Sequence, residues 1–231
     1  MPTLDWLNRA CAFTFAATMP IDRYHASGPQ ADSQPGSDGL VLRNRLGITD
    51  PQQLQDAELQ LLLQLYEFVL GEAFPERGIK VADLAEWHRL WLGNVYVWAG
   101  QLRSVNLGKG GFQFAAAAQL PRLLQDFELQ CLRPSTPCTD MDGEALAQAI
   151  ALCHVEFILI HPFREGNGRL SRLLADVMAM QAGHGLLDYT TWDADKTAYF
   201  AAIQKGMSRN YQPMQALVSA ALTGPREPGR G

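Results

Sequence analysis

The sequence predicts a mainly α single domain of about seven to eight helices carrying one β-hairpin flap, and three observations point there. Apolar residues recur at three- and four-residue steps in segment after segment. One stretch near residue 110 alternates about a glycine-rich turn instead. The 231 residues hold 47% hydrophobic side chains, enough for one sizeable core, and show no internal repeat.

Taken in order, residues 1–26 read as an appendage. Ser27 to Gly39 is rich in Gly, Pro, Ser, Asp and Gln, so residues 1–39 are expected to be an appendage and a loop or disordered join ahead of a domain spanning 40–222. Asp50-Pro51 is a helix start, and Leu54, Leu59, Leu62, Leu63, Tyr66 and Val69 place an apolar stripe behind it until the Gly71 to Gly78 stop. Val81 to Tyr96 is the next helix, carrying Trp87, Leu90, Trp91 and Val95. Arg103 to Leu107 and Phe112 to Phe114 alternate as strands about a Gly108 to Gly111 turn. Helices follow at Ala116 to Leu132, Glu144 to Ile160, Gly168 to Gln181, Asp193 to Lys205 and Gln212 to Leu222; residues 223–231, with two prolines and three glycines after Thr223, read as a disordered tail.

The chemistry gathers in the joint His161-Pro162-Phe163-Arg164-Glu165-Gly166-Asn167-Gly168-Arg169-Leu170-Ser171-Arg172. Pro162 disfavours helical geometry at His161, and a second helix begins near Gly168. A helix's first turn leaves N–H groups unpaired and positive, so Gly166-Asn167-Gly168 points donors at an anion, with phosphate the natural occupant. Arg169 and Arg172 are near neighbours on one helical face and could grip more than one phosphate. Glu165 offers the hard oxygen that magnesium prefers when it bridges phosphates. His161 is expected to accept a proton near neutral pH, its helix C-terminal place favouring the imidazolium, which suits a general base. Each residue alone has a plainer reading as a turn glycine, a solvated arginine or a structural histidine; Phe163 reads as an apolar pin. Their co-occurrence decides the matter, since eight specified positions match by chance on the order of once in 10^10 trials.

The twelve residues match the pattern His-x-Phe-x-Asp/Glu-Gly-Asn-Gly-Arg-x-x-Arg of the Fic family without a departure. Leu42 to Asp50 resembles the opening of a Fic domain, and Val97-Trp98-Ala99-Gly100-Gln101-Leu102-Arg103 resembles the family's Trp-Ala-Gly-x-x-Arg segment. The resemblance implies a protein adenylyltransferase that moves AMP from ATP, with Mg2+, to a Tyr, Ser or Thr hydroxyl of a target protein and releases pyrophosphate. It implies His161 as base, Phe163 as anchor, Glu165 as magnesium ligand, Gly166 to Gly168 as anion cradle, Asn167 on the α-phosphate, and Arg169 and Arg172 on the outer phosphates, with Arg164 also among the ATP-contacting residues. The hairpin would be a flap beside the nucleotide that pairs with an incoming target strand, Lys109, Gly110, Gly111 and Phe112 lining the site; an ordinary surface hairpin is the alternative. Tyr199 and Gln204 fall where relatives contact adenine, although aromatics at helical spacing are mostly core. Other transferred groups (UMP, phosphocholine, phosphate) and a non-catalytic strand-capturing adaptor remain alternatives; Gly168, where the phosphate-transferring branch carries Lys, tells against that branch.

The net charge of −5 offers no broad footprint for nucleic acid. The four cysteines, Cys11, Cys131, Cys138 and Cys153, lack CxxC spacing and read as reduced core thiols. No stretch is expected to cross a membrane, and the cytoplasm is the expected compartment, with secretion as an effector the alternative. Many Fic domains are silenced by a helix bearing Ser/Thr-x-x-x-Glu-Gly/Asn, whose glutamate takes the second arginine. Here the one Ser/Thr-x-x-x-Glu match, Thr223 to Glu227, is broken by Pro225. A separate antitoxin-like protein is therefore expected to supply the inhibitory helix.

Overall fold

The computed structural model describes residue 30 and residues 32–222. Expectations for residues 1–26 and for the tail from 223 lie outside the described residues. Of the segment expected to be a loop or disordered join, the part described from residue 32 is a loop tied to the start of the domain: Ser33 bridges Leu42, the Gln34 amide donates to the Val41 carbonyl, and Val41 is fully buried. Burying Val41 is what fastens this polar stretch to the domain.

Helix α1 (Pro51–Glu67) starts where the sequence says it should, because the Asp50 carboxylate accepts from the Gln53 amide and Pro51 needs no donor at the first helical position. It ends in a π-turn at Phe68–Glu72. Helix α2 (Val81–Leu92) is shorter than the expected Val81 to Tyr96; Gly93 to Tyr96 turn away, burying Val95 and Tyr96. After the hairpin come α3 (Leu120–Phe127), a π-turn at Glu128–Leu132 and the short α4 (Arg133–Ser135).

Helix α5 (Gly143–Ile160), capped by Asp142, is the axis of the fold, with α3, α6 (Asn167–Gln181), α8 (Lys196–Lys205) and α9 (Gln212–Leu222) packed around it. It is apolar over most of its circumference, with Leu146, Ile150, Cys153, Phe157 and Ile160 buried together with Ala147, Ala151, Val155 and Ile158, and the line of Glu144, Gln148, Leu152 and Glu156 reaches toward solvent. A helix with so wide an apolar face belongs largely inside. Contrary to expectation, α5 is long and apolar enough by length and composition to cross a membrane, but 61% of it is buried in the protein, as befits a central core helix. The expected Asp193 to Lys205 helix is broken in two, α7 (Thr190–Ala194) and α8, because Asp195 leaves helical geometry and caps the Ala198 amide with its side chain. Cys131, Cys138 and Cys153 are buried free thiols, as expected; Cys11 lies outside the described residues.

The hairpin is smaller than expected. Strands β1 (Gly108–Lys109) and β2 (Phe112–Gln113) are antiparallel in the register Gly108 to Gln113 and Lys109 to Phe112. Gly110 and Gly111, with φ of 55° and 80°, make the two-residue turn that matches strand twist. Arg103 to Leu107 is not a strand, because Arg103 serves as a buried strut beneath the site instead.

Candidate active site

The joint between α5 and α6 is fastened from every side. His161 ends α5 in the left-handed region, at φ 52°. This costs on the order of 1 kcal/mol for a side-chain-bearing residue and holds only where neighbours enforce it. The enforcing neighbour is Arg103. Its Nε donates to the His161 carbonyl at 2.6 Å, Nη2 to the Ile160 carbonyl at 3.2 Å and to that of Ala115, and Nη1 to that of Val105. A cation thus satisfies the carbonyls at the negative end of α5 and ties them to the chain on both sides of the hairpin. Burial pushes this guanidinium down to about 10.

The loop is closed internally by Asn167. Its Oδ1 accepts from the Phe163 amide at 2.9 Å and its Nδ2 donates to the Phe163 carbonyl at 2.8 Å. The amide that the resemblance assigns to the α-phosphate is therefore spent on the loop's own backbone. Phe163 is buried and stacks on His88, ring centroids 4.1 Å apart, which confirms it as the anchor. His88 Nδ1 accepts from the Gly100 amide, so Nε2 carries the proton and donates to the Glu165 carbonyl at 3.0 Å. Gly166 takes φ 82°, and a Cβ there would stand 2.7 Å from the Trp91 ring. Only glycine lets the chain pass between Trp91 and the start of α6. At Gly168 a Cβ would meet nothing within 4 Å, so the first turn of α6 is open on that side. The amides of Asn167, Gly168 and Arg169 lack intrahelical partners there by helix geometry, the first such bond running from the Leu170 amide to the Gly166 carbonyl.

Glu165 is 30% exposed; its Oε1 accepts from the Gly166 amide and lies 3.6 Å from Arg169 Nη2, and Oε2 has no partner among the described residues. No three His, Cys, Asp or Glu side chains converge as metal ligands among the described residues. A magnesium ion here would thus rest on one carboxylate and the substrate's phosphates, which is how this cation is commonly held beside a nucleotide. The residues fit such an ion.

His161 is 3% exposed, its ring stacked on Phe114 at 3.8 Å. Burial above all, with the charges of Arg103 and Lys109 adding to it, pushes the imidazole down to about 3, against the pull of the Ile158 carbonyl. The expectation of a base titrating near neutrality is corrected: the favourable helix end is outweighed by the loss of water. Nδ1 faces the Ile158 carbonyl at 3.2 Å, which places the proton there and leaves Nε2 as the basic nitrogen.

The two arginines part company. Arg169 turns inward: Nη2 donates to the buried Glu58 at 2.7 Å and the guanidinium lies over Trp91 at 4.5 Å. Arg172 pairs with both oxygens of Asp193, at 2.7 and 3.2 Å, over the Tyr189 ring. Arg164, expected on ATP, is buried with Nε on the Gln30 carbonyl, so its contact is to the chain's N-terminal side. Tyr199 is core: its hydroxyl meets His154 Nε2 at 2.7 Å and its ring stacks on Trp192. Gln204 lines a shallow depression with Ala201, Lys205, Met207 and Ser208. Lys109, Gly110 and Gly111 are exposed at the flap tip, and Phe112 packs edge-on to Phe114. Sequence reasoning missed His88, the strut role of Arg103, and Phe114, Glu58 and Asp193. The conspicuous signals were a histidine between Trp87 and Trp91 in α2 and the arginine that closes the Trp-Ala-Gly segment.

The description Fic/DOC family fits residues 78–179, which span the strut, the flap and the joint. A probable protein adenylyltransferase of Sinorhizobium fredii is 32% identical over 146 residues, covering 63% of this chain and 74% of that protein. The chain belongs to the Fic/DOC family. A further Fic relative, the probable protein adenylyltransferase Fic of Escherichia coli K12, is 28% identical over 195 residues, covering 82% of this chain and 90% of its own. Among solved structures, the fold is similar to that of the VirB-translocated effector protein BepC of Bartonella tribocorum with bound AMPPNP. The TM-score is 0.67 at 24% identity, over 80% of this chain and 93% of that one.

Proposed function

We propose that this Fic protein is a protein adenylyltransferase that moves AMP from Mg-ATP to a Tyr, Ser or Thr hydroxyl of a target protein. The observation that carries the reading is the open first turn of α6 beside Glu165 Oε2, with His161 at the end of the neighbouring helix. Relatives named protein adenylyltransferase support it.

On this reading the Asn167, Gly168 and Arg169 amides hold phosphate oxygens, and Arg172 exchanges Asp193 for the outer phosphates. Glu165 would hold a magnesium ion, which would supply charge neutralisation when bound with the nucleotide. A target segment pairs with the exposed edge of the flap and displaces Phe114 from His161. His161 Nε2 takes the hydroxyl proton, the hydroxyl oxygen bonds to the α-phosphorus, and the bond to the β-phosphate bridge breaks, releasing pyrophosphate. Neutral at physiological pH, the ring is ready to accept that proton, and the nearby phosphate charge strengthens its basicity once the site fills. The target and an inhibitory antitoxin-like protein are its expected partners, in the cytoplasm.

Incubating the protein with host lysate, magnesium and either α- or γ-labelled ATP tests this. Label carried to protein from α-ATP alone is the expected result. Transfer from γ-ATP indicates a phosphate transferase, and no transfer with partner capture intact indicates an adaptor.

A further inference from the structure

Glu58 lies on α1, far along the chain from the joint, yet both of its carboxylate oxygens are engaged beneath it. Oε1 accepts from the Tyr96 hydroxyl at 2.6 Å and Oε2 from Arg169 Nη2 at 2.7 Å, while its own carbonyl accepts from the Trp91 indole. Only 7% of the side chain is exposed. A buried carboxylate this thoroughly bonded is fixed in place.

Arg169 consequently stands between two carboxylates, bonded to Glu58 and 3.6 Å from Glu165 Oε1. Burial works to lower its proton affinity, and the two acids more than reverse that, so the guanidinium is charged throughout. A charged, largely buried guanidinium takes whichever carboxylate remains. Without Glu58, Glu165 is the nearest acid, less than about 1 Å beyond hydrogen-bond length.

We propose that Glu58 is a positioning residue which holds Arg169 off Glu165, so that the Glu165 carboxylate stays open to the divalent cation bound with the nucleotide. The idea rests on the Mg-ATP reading above. It makes the two acids rivals for one arginine, with the buried one winning and the exposed one left for the metal. Outer-shell partners of this kind commonly alter metal affinity ten- to a hundredfold.

The test is the Mg2+ concentration that half-saturates ATP binding by the full chain, measured by calorimetry, with ATP affinity in EDTA as the reference. Glu58→Gln is expected to raise the Mg2+ requirement about tenfold while leaving affinity in EDTA near wild type. Arg169→Met, and the double variant Glu58→Gln/Arg169→Met, are expected to need no more Mg2+ than wild type, because no guanidinium remains to capture Glu165. An unchanged requirement in a folded Glu58→Gln protein overturns the proposal. So does a raised requirement in either variant lacking Arg169, which carries the test if Glu58→Gln melts below the assay temperature. If wild-type ATP affinity is indifferent to Mg2+, the Mg-ATP reading fails first, and that is visible before any substitution is made.

Discussion

The joint at 161–172 and the flap at 107–114 face each other across the same space and are built by opposite rules. In the joint, the backbone is held by side chains: Arg103 holds the His161 carbonyl, His88 the Glu165 carbonyl, and Asn167 the Phe163 peptide. The flap is two pairs of residues around two glycines, its tip exposed, touching the joint through the Phe114 ring on His161. The difference separates two tasks. On the proposed reading, groups that would meet phosphate within a few tenths of an ångström are preorganised on rigid helix ends, and the group that would admit a protein segment is a small hairpin with an exposed tip.

The largest effect is expected from breaking the rigid side at its strut. Arg103→Met keeps bulk but strands the carbonyls of His161, Ile160, Val105 and Ala115. Unfolding in urea should show a loss of about 3–5 kcal/mol, the cost of several buried unsatisfied acceptors. A loss under about 1 kcal/mol would mean that the joint holds itself without the strut.

Acid should loosen the same region. His88 is held down at about 4, and His154 and His161 at about 3, each first by burial, whereas burial raises Asp176 to about 7. Depressed histidines stabilise the folded state above their unfolded value of about 6.5 and lose that contribution as pH falls toward the folded values. Asp176 acts in the opposite sense between about 4 and 7, so unfolding takes up about two protons on balance. Stability should fall by roughly 2–3 kcal/mol per pH unit at its steepest between pH 6.5 and 4.5, with the urea midpoint as readout. A midpoint flat across that window would show the histidines to be solvated.

A smaller change sharpens the comparison at its edge. Asp193 is 37% exposed and occupies Arg172 in a two-oxygen pair, which on the proposed reading the outer phosphates of ATP would displace. Asp193→Asn should tighten ATP binding about fivefold, the ~1 kcal/mol typical of a partly exposed pair. Weakened binding would instead make Asp193 a support that aims Arg172 at the phosphates.

Much of this was legible from local signals. Asp50-Pro51 marks a helix start, and the joint's glycines and Pro162 mark the break between α5 and α6, because caps and turns are written within a few residues. The partners of the key groups were not legible. Arg169 meets Glu58 across 111 positions, Arg103 meets the His161 carbonyl across 58, and His88 meets the Glu165 carbonyl across 77. Periodicity reports which face of a helix is apolar and is silent on which distant chain covers it. The neutral state of His161 was missed for the same reason, since the Phe114 ring that helps to bury it arrives from the flap. The split at Asp195 was a cap hidden inside an apolar pattern.

The central claim is that the first turn of α6 seats a triphosphate whose α-phosphorus is attacked by a hydroxyl that His161 deprotonates. Replacing His161 with Ala and measuring both ATP affinity and transfer of label from α-ATP tests it most directly. The account predicts affinity within about twofold of wild type and transfer slower by at least about a hundredfold, the range for losing a general base. Transfer at the wild-type rate would contradict it.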